Sequence, residues 1–466
     1  MVTASQLAAL TRTLPPVAAH ADAIATDFYD RLFAARPDLL RDRFNRGEHA
    51  QGRQARELAR TVVALAEAVI DAAPGSGTSS SARAAATLHP TSRQAGAPTL
   101  AGSTAAEITS RLAQRHAALG IRRHDHPAFE AALREAMRAS SASASSSHSD
   151  SVSVSDEASP EALDDEAVEA WTALYRQVIA EVADAVDDLY RHADLEPDEE
   201  WREAIVTEHR LEAEDVVALT LVSADSEALP RYRAGQFASV QVELADGARQ
   251  IRQYSLRGGP DEQWRISARV LDGGGFAPDG EVSTHLRDEI AVGGVVRVSP
   301  PIGSLTIDEL DDAPLLFVSA GIGCTPVLGM LDHLARTEPL RPVTALHFER
   351  TPERHAHRTE LEALVAAMPN ASLRVSYTQG SLSALTAAGG IGESIDGQGA
   401  YLDPIDLGTV ALTAEHRVFL CGPVPFMAIA RAALIEHGVE ADRVHYFVFG
   451  PDDGSVTGID TGQRGR

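Results

Sequence analysis

Apolar positions recur at steps of three and four through residues 1 to about 70, and again from 105 to about 195, which is the spacing of one buried helix face. Ile24, Ala25, Phe28, Tyr29, Leu32 and Phe33 make a broad stripe, and Pro37 follows where a proline would open a new helix. Gln54 heads a second stripe through Leu58, Val62, Leu65 and Val69, and Ile108, Leu112, His116 and Leu119 hold a third. A last long helix is predicted from about Asp165 to Tyr190, with Trp171, Val178 and Val182 among its apolar positions. Two low-complexity stretches, about 74–103 and 139–160, interrupt the pattern; their composition buries too little apolar surface to offset chain entropy, so both are expected to be disordered loops.

From about Trp201 the period changes. Short β-rich runs at Val216 to Val222, Gln236 to Leu244, Arg252 to Leu256, Trp264 to Leu271 and Val295 to Val298 are separated by Gly and Pro turns, which predicts a small antiparallel barrel. From Ala313 onward strands alternate with helices. The predicted strands are Leu315 to Ser319, Val343 to Phe348, Leu373 to Tyr377, Val418 to Cys421 and Val444 to Phe449, with helices from Pro326, near Glu360 and from Pro425. That alternation implies a parallel, doubly wound sheet. Three domains are therefore expected, at 1–197, 198–308 and 309–452, with a polar tail at 453–466.

Charge narrows the partners. The formal net charge of -26 would repel nucleic acid and anionic lipid, since both are bound by neutralising phosphates, and no run of about 18 apolar residues is long enough to span a membrane. All 41 basic residues are Arg, which fits codon bias with some halophilic pressure. Two cysteines in 466 residues do not make a secreted disulfide framework, and the N-terminal residues read as an amphipathic helix rather than a signal peptide, so a cytoplasmic monomer is expected.

Four motifs in the second half carry chemistry. Gly321-Ile322-Gly323, between a buried strand and a helix, lets backbone approach a pyrophosphate, and Cys421-Gly422-Pro423 follows another strand of the same sheet, so both loops should face one crevice. In Arg252-Gln253-Tyr254-Ser255 the arginine would neutralise a phosphate, while ring and hydroxyl would flank a flavin; an ordinary strand with a core tyrosine would read the same way. Val448-Phe449-Gly450-Pro451 closes the series. Cys324 and Cys421 are too few for a metal site and are read as packing or nucleotide-pocket residues.

The order of these pieces over about residues 205 to 451 resembles the ferredoxin-reductase family of flavoproteins. The resemblance implies that Tyr232, Arg252, Gln253, Tyr254 and Ser255 contact FAD, that Gly280-Glu281-Val282-Ser283 holds its pyrophosphate, and that Phe449 covers the flavin. It also implies that Gly321, Ile322, Gly323, Cys324, Thr325 and Pro326 take NAD(P)H, with Cys421 near the nicotinamide.

Ahead of that module, Phe28-Tyr29-Asp30-Arg31-Leu32-Phe33, Phe44-Asn45, Gln54 with Leu58, and His116 occur in the order of a globin, so that nearly the whole chain resembles the flavohaemoglobins. The implied fold is multidomain: an all-α globin, an antiparallel β-barrel FAD domain and an α/β doubly wound NAD(P) domain. His116 would be the proximal ligand to the iron of haem b, Phe44 the ring packed on the porphyrin, and Tyr29, Gln54 and Leu58 the distal wall. His89, His124 and His126 are weaker candidates, the first in a loop predicted to be disordered and the others in the turn beyond the helix. The implied activity is NAD(P)H-dependent nitric oxide dioxygenation to nitrate. NAD(P)H oxidation with another acceptor and gas sensing are the alternatives.

Departures from the pattern are specific. The tyrosine that usually supports the proximal histidine is His126, and the glutamate position on the last helix falls on Val186, leaving Asp184 or Asp187 as substitutes. The lysine before the histidine is Arg115, and the acid usually found before Phe-Gly-Pro is Phe447. Arg350 is the candidate for contact with a nucleotide 2′-phosphate.

Overall fold

The computed structural model describes residues 2–73, 104–146, 163–193, 200–258, 263–271, 279–307, 311–377 and 410–447. It divides into two compact units, Met1–His192 with Ala248–Ile251, and Ala193–Gly247 with Arg252–Arg466. The predicted loop at 74–103, the remainder of the one at 139–160 beyond residue 146, His89, the tail and Val448 to Pro451 lie outside the described residues.

The first unit is helical: α1 Ala4–Ala19, α2 Ala21–Ala35, α3 Pro37–Asp42, α4 Arg46–Ala50, α5 Arg53–Asp71, α6 Ala105–Leu119, α7 His126–Ser146 and α8 Asp165–His192. Thr3 with Gln6, and Thr104 with Glu107, form capping boxes that satisfy the first free N–H groups of α1 and α6. Pro37 opens α3 as expected, because its missing N–H costs nothing at a first helical position. The apolar stripes meet as α2 packs on α5 and α7, and α8 packs on α1, α6 and α7. Trp171, fully buried, donates its indole N–H to Thr13 Oγ1 at 3.0 Å and pins α8 to α1. One expectation fails here: α7 continues through Ser146, into the stretch predicted to be disordered. Extending an existing helix needs no new nucleus, so a weakly helical sequence can follow a well-packed one.

The second unit opens with an antiparallel sheet. Its strands are β1 Arg202–Ala213, β2 Val216–Ser223, β3 Phe237–Glu243, β4 Arg249–Ser255, β5 Trp264–Arg269 and β6 Val295–Val298, in the order β4-β3-β6-β1-β2-β5. Just past β4, Arg257 bridges to Arg265 of β5, its N–H donating to the Arg265 carbonyl at 2.9 Å, so the two edges close into the predicted barrel. Val206, Leu219, Val240, Leu256, Trp264 and Ile266 fill it. The 12-residue β1 was missed by the sequence pattern. It carries charges at Arg202, Glu203, Glu208, Arg210 and Glu212, and two register shifts break its alternation.

The rest of the unit is a parallel sheet of β7 Leu315–Ala320, β8 Val343–Glu349, β9 Ala371–Tyr377, β10 Arg417–Cys421 and β11 Val444–Phe447, in the order β11-β10-β7-β8-β9. Alternate residues serve opposite faces. Leu315, Phe317, Ala345 and Phe419 pack with α10 Cys324–Thr337 and α11 Arg358–Ala366, while Leu316, Val318, Leu346 and Leu420 pack with α12 Val424–Glu436. Burial on both faces explains the near-continuous apolar runs.

Candidate functional site

In the helical unit the predicted residues converge. Tyr29 on α2 stacks on Phe33 at 5.4 Å and meets the edge of Phe44 at 5.9 Å; Phe44 approaches Phe129 of α7 at 6.4 Å, and Phe129 approaches His116 of α6 at 6.2 Å. Burial holds the Tyr29 phenol well above its usual pKa, so it is a neutral O–H. Burial also pushes the His116 imidazole down to about 3, which keeps it neutral and able to ligate a metal. Among the described residues its Nδ1 has no hydrogen-bond partner, and neither does the buried Oε1 of Gln54 on α5. Leu58, one turn on from Gln54, lines an apolar cavity with Ile24, Phe28, Val62 and Met137.

Two features near this cluster escaped the sequence reading. Glu57, buried beside Leu58, accepts a hydrogen bond from Arg115 at 3.2 Å and ties α5 to α6 next to the histidine. Its i,i+3 spacing from Gln54 was the available signal. Tyr190 on α8 donates to the carbonyl of Ala117 at 3.1 Å, which anchors the turn after His116.

Two expectations on this side are corrected. His126 is not in a turn but is the first residue of α7; it is buried, with its ring 5.7 Å from His116 and its Nε2 without a partner among the described residues. A proline at the second position, Pro127, favours a helix start there. Asp184 and Asp187 do not substitute for the missing carboxylate, because Arg123 holds them at 2.6 and 3.1 Å. Val186 packs in the core.

In the second unit, Arg252 to Ser255 occupy the end of β4. Gln253 Nε2 donates to Ser239 Oγ at 3.5 Å, and the Tyr254 ring rests on the barrel core, where burial raises its phenol pKa. The Tyr232 hydroxyl, its pKa raised to about 12 by burial, donates to the Arg257 carbonyl. Gly280 to Ser283 form the entry to a helix that the sequence reading did not predict, α9 Glu281–Asp288. Val282 is buried in the barrel core and Ser283 Oγ donates back to the Gly280 carbonyl, so these two offer a ligand backbone N–H groups rather than side chains.

The parallel sheet reverses its winding between β7 and β10: β8 and β9 lie on one side and β11 on the other. That is the position where α/β sheets bind ligands, outside the carboxyl ends of the strands. Ser319 pairs with Cys421 in the ladder, so the Gly321–Gly323 turn and Cys421-Gly422-Pro423 emerge side by side, as the motifs predict. Gly321 has a φ of 57°, and a Cβ there would lie 2.6 Å from Arg269 Nη1. The Arg269 guanidinium is itself held by Asp215 at 3.3 Å and Glu349 at 3.1 Å, a network the sequence did not reveal. The helix starts at Cys324, two residues before the expected Pro326, with Thr325 Oγ1 donating to the Ile322 carbonyl at 3.0 Å. Cys324 and Cys421 are buried, free thiols; burial pushes the first up to about 12 and the second well above its usual value, so both stay protonated.

The model of an oxidoreductase NAD-binding domain matches residues 317–432. The flavohaemoprotein of Bordetella pertussis is 30% identical over 446 residues, covering 94% of this chain and 96% of its own length. That of Chromobacterium violaceum is 30% identical over 446 residues, with coverages of 95% and 96%. Among solved structures, the flavohaemoglobin of Malassezia yamatoensis with bound FAD and haem superposes with a TM-score of 0.76 at 26% identity, covering 96% of this chain and all of that one.

Proposed function

The chain belongs to the flavohaemoproteins, and from that membership we propose that it is an NAD(P)H-dependent nitric oxide dioxygenase, combining nitric oxide with O2 to form nitrate with haem and FAD as cofactors. The observation that carries this reading is the neutral, half-buried imidazole of His116 in one helical cluster with the neutral Tyr29 phenol and the Gln54 Oε1, which has no partner among the described residues. Among the described residues no group of three or more His, Cys, Asp or Glu side chains can hold a metal ion. A single protein imidazole suits an iron whose other ligands would come chiefly from a macrocycle. When bound, haem supplies an iron centre for oxygen chemistry, and FAD converts a two-electron hydride into single electrons.

His116 would hold the iron, and Phe44 would lie against the porphyrin. Tyr29 and the Gln54 amide would place hydrogen-bond donors where negative charge develops on oxygen, and Leu58 with its cavity neighbours would keep that space apolar. On the reductase side, Tyr232, Arg252, Gln253, Tyr254 and Ser255 would hold FAD, and the first turn of α9 would receive its pyrophosphate on backbone N–H groups. For Val448, Phe449, Gly450 and Pro451, which lie outside the described residues, a place at the flavin is proposed from the family membership alone. Gly321 to Pro326 and Cys421 to Pro423 would seat NAD(P)H at the switch point, the glycines giving the close approach and the protonated cysteines only packing.

The test is nitrate yield when the oxygenated protein is mixed with nitric oxide. Stoichiometric nitrate is expected, and Tyr29→Phe should slow its formation by about 100-fold if the phenol stabilises a developing oxyanion. A variant as fast as the parent would remove Tyr29 from that role. A second reading, NAD(P)H oxidation with another acceptor, draws support from Val186, which stands where the family resemblance puts a carboxylate, and from Asp184 and Asp187, which Arg123 occupies. Consumption of NAD(P)H without matching nitrate would favour it.

A further inference from the structure

Two breaks in regular backbone converge on one contact in the second unit. In β1 the pairing with β2 skips Glu212, since Leu211 pairs with Val217 and Ala213 with Val216, and a bulge of this kind re-aims the side chain of the extra residue. In the parallel-sheet half, His357, just ahead of α11, has a φ of 58°; among the described residues it alone of the non-glycine residues has a positive φ. An L side chain is strained in that region, and such strain persists where the surrounding contacts impose it. The two irregular residues meet: His357 Nδ1 lies 3.4 Å from Glu212 Oε2 and 3.3 Å from Glu360 Oε2 of α11.

The contact is buried, ionic, and runs from the barrel to the parallel sheet. The His357 side chain is fully buried, and its Nε2 is hydrogen-bonded to Ser267 Oγ of β5 at 2.8 Å. Glu360 also accepts from Arg257 Nη1 at 2.7 Å, and the carbonyl of Arg257 takes the Tyr232 hydroxyl. One imidazole thus stands between two carboxylates, one from each half, while its other nitrogen engages a barrel hydroxyl. Both sides of this seam lead to the residues proposed to hold the reacting rings. Arg257 lies two residues past the end of β4, and a Cβ on Gly329 of α10 would be 2.7 Å from the Leu256 carbonyl oxygen, so helix and strand end are in backbone contact. On the other side, Cys324 Sγ, next to the glycine turn, lies 3.9 Å from the carbonyl oxygen of Ala356, the residue before His357.

We propose that His357 is a positioning residue for hydride transfer: held by Ser267 and Glu212 of the barrel, it fixes the parallel sheet, and with it the bound nicotinamide, at the distance from the flavin at which hydride passes. This rests on the reading of the second unit as an NAD(P)H-dependent flavin reductase. The hydride carries two electrons from the nicotinamide, which is oxidised, to the flavin, which is reduced; His357 makes and breaks no bond. The reacting atoms must come within about 3–3.5 Å, so a small shift along the seam is felt in the rate. Glycine would fit this φ without strain, but only a side chain with a nitrogen for each side joins the barrel hydroxyl to the two carboxylates.

Anaerobic stopped-flow reduction of the full-length, FAD-loaded protein by NADH and by NADPH tests the role. The limiting rate at saturating nucleotide reads the geometry, its concentration dependence reads affinity, and the long-wavelength charge-transfer absorbance reads the stacking of nicotinamide on flavin. Ser267→Ala, which removes one hydroxyl and leaves β5 intact, should lower the limiting rate several-fold. His357→Gly, which relieves the backbone and removes the imidazole, should lower it by about 10- to 100-fold. In both, the charge-transfer absorbance should weaken while flavin content is retained and nucleotide affinity stays within about twofold. His357→Asn, which tolerates the same φ and reaches one side of the seam, should fall between parent and His357→Gly. Adding Ser267→Ala to His357→Gly should cost nothing further, because the partner is already gone. Limiting rates within about twofold of the parent in both single variants overturn the inference and leave the reductase reading intact. If His357→Gly loses its flavin, Ser267→Ala decides, and an unchanged rate and absorbance there overturn the inference. A parent flavin that neither nucleotide reduces overturns the reductase reading, and the inference with it.

Discussion

Replacing Gly323 with alanine tests whether the nucleotide cleft depends on close approach of two backbones. Gly323 has φ of -62° and ψ of -2°, so alanine adopts its conformation without strain, and any penalty is one of space. An added Cβ would lie 2.5 Å from the Cys421 carbonyl oxygen, 2.6 Å from its carbon and 2.9 Å from the Gly422 nitrogen, against 3.4 Å for ordinary contact. The first gap is about 0.9 Å short, and every obstructing atom is backbone. These atoms cannot move freely, because Cys421 is paired in register with Ser319 of β7 and Phe447 of β11. Overpacking of this kind costs about 1–3 kcal/mol, offset by about 0.4–1 kcal/mol from the lower entropy of the unfolded alanine chain. A net loss of about 1–2 kcal/mol lowers the thermal transition of the nucleotide half by roughly 2–8 °C. Calorimetry measures that shift, and NAD(P)H-dependent ferricyanide reduction should fall at least several-fold through KM while flavin absorbance is retained. A melting temperature within 1 °C of the parent, with KM within about twofold, would refute the idea that the two loops must nearly touch.

Other substitutions probe the remaining claims. His116→Ala should abolish the haem Soret band and leave flavin absorbance in place; a normal Soret band would assign the ligand elsewhere. Glu360 accepts from the buried Arg257 at 2.7 Å, so Glu360→Leu strands a guanidinium that is 3% exposed and should cost about 3–5 kcal/mol in urea unfolding, whereas a loss below about 1 kcal/mol would mean that Arg257 finds another partner. Burial depresses His347 to about 3 and His355 to about 4, below the unfolded value of about 6.5. The unfolded chain therefore binds more protons between these limits, so stability is full above about pH 6.5 and declines as pH falls toward 4 and then 3. At pH 5 His347 alone accounts for up to about 2 kcal/mol, and a His347→Phe variant with the same acid dependence as the parent would argue against it.

Much of the architecture was legible because it rests on period. The stripe through Gln54 and Leu58 and the one through His116 lie on helices that each bury one face, and Leu315 to Ser319 reads as a strand because α10 and α12 cover both of its sides. Period is silent where neighbours decide. β1 was missed because its charged residues alternate with a short apolar set and its bulges shift the register. The entry of α9 was missed because only Val282 and Leu286 face the barrel. At the candidate site, the residue types were readable but their engagements were not: nothing in the order of letters says that Arg123 takes Asp184 and Asp187, or that His126 lies beside His116 with a free nitrogen. Those are outcomes of helix packing over 10 to 64 residues of separation.

The adjacency of β7 and β10 has a consequence for how the protein is made. The glycine turn leaves the ribosome about a hundred residues before Cys421, and β8, β9 and their helices must be synthesised between the two. Until β10 inserts beside β7, one wall of the nucleotide cleft does not exist, and the apolar inner edge of β7 is uncovered. Nucleotide affinity is thus acquired late in synthesis and in a single step, with the longest loop closure in the sheet. Chains cut short ahead of residue 417 would expose β7 as a sticky edge and hold no nucleotide, which makes them natural clients of chaperones and proteases.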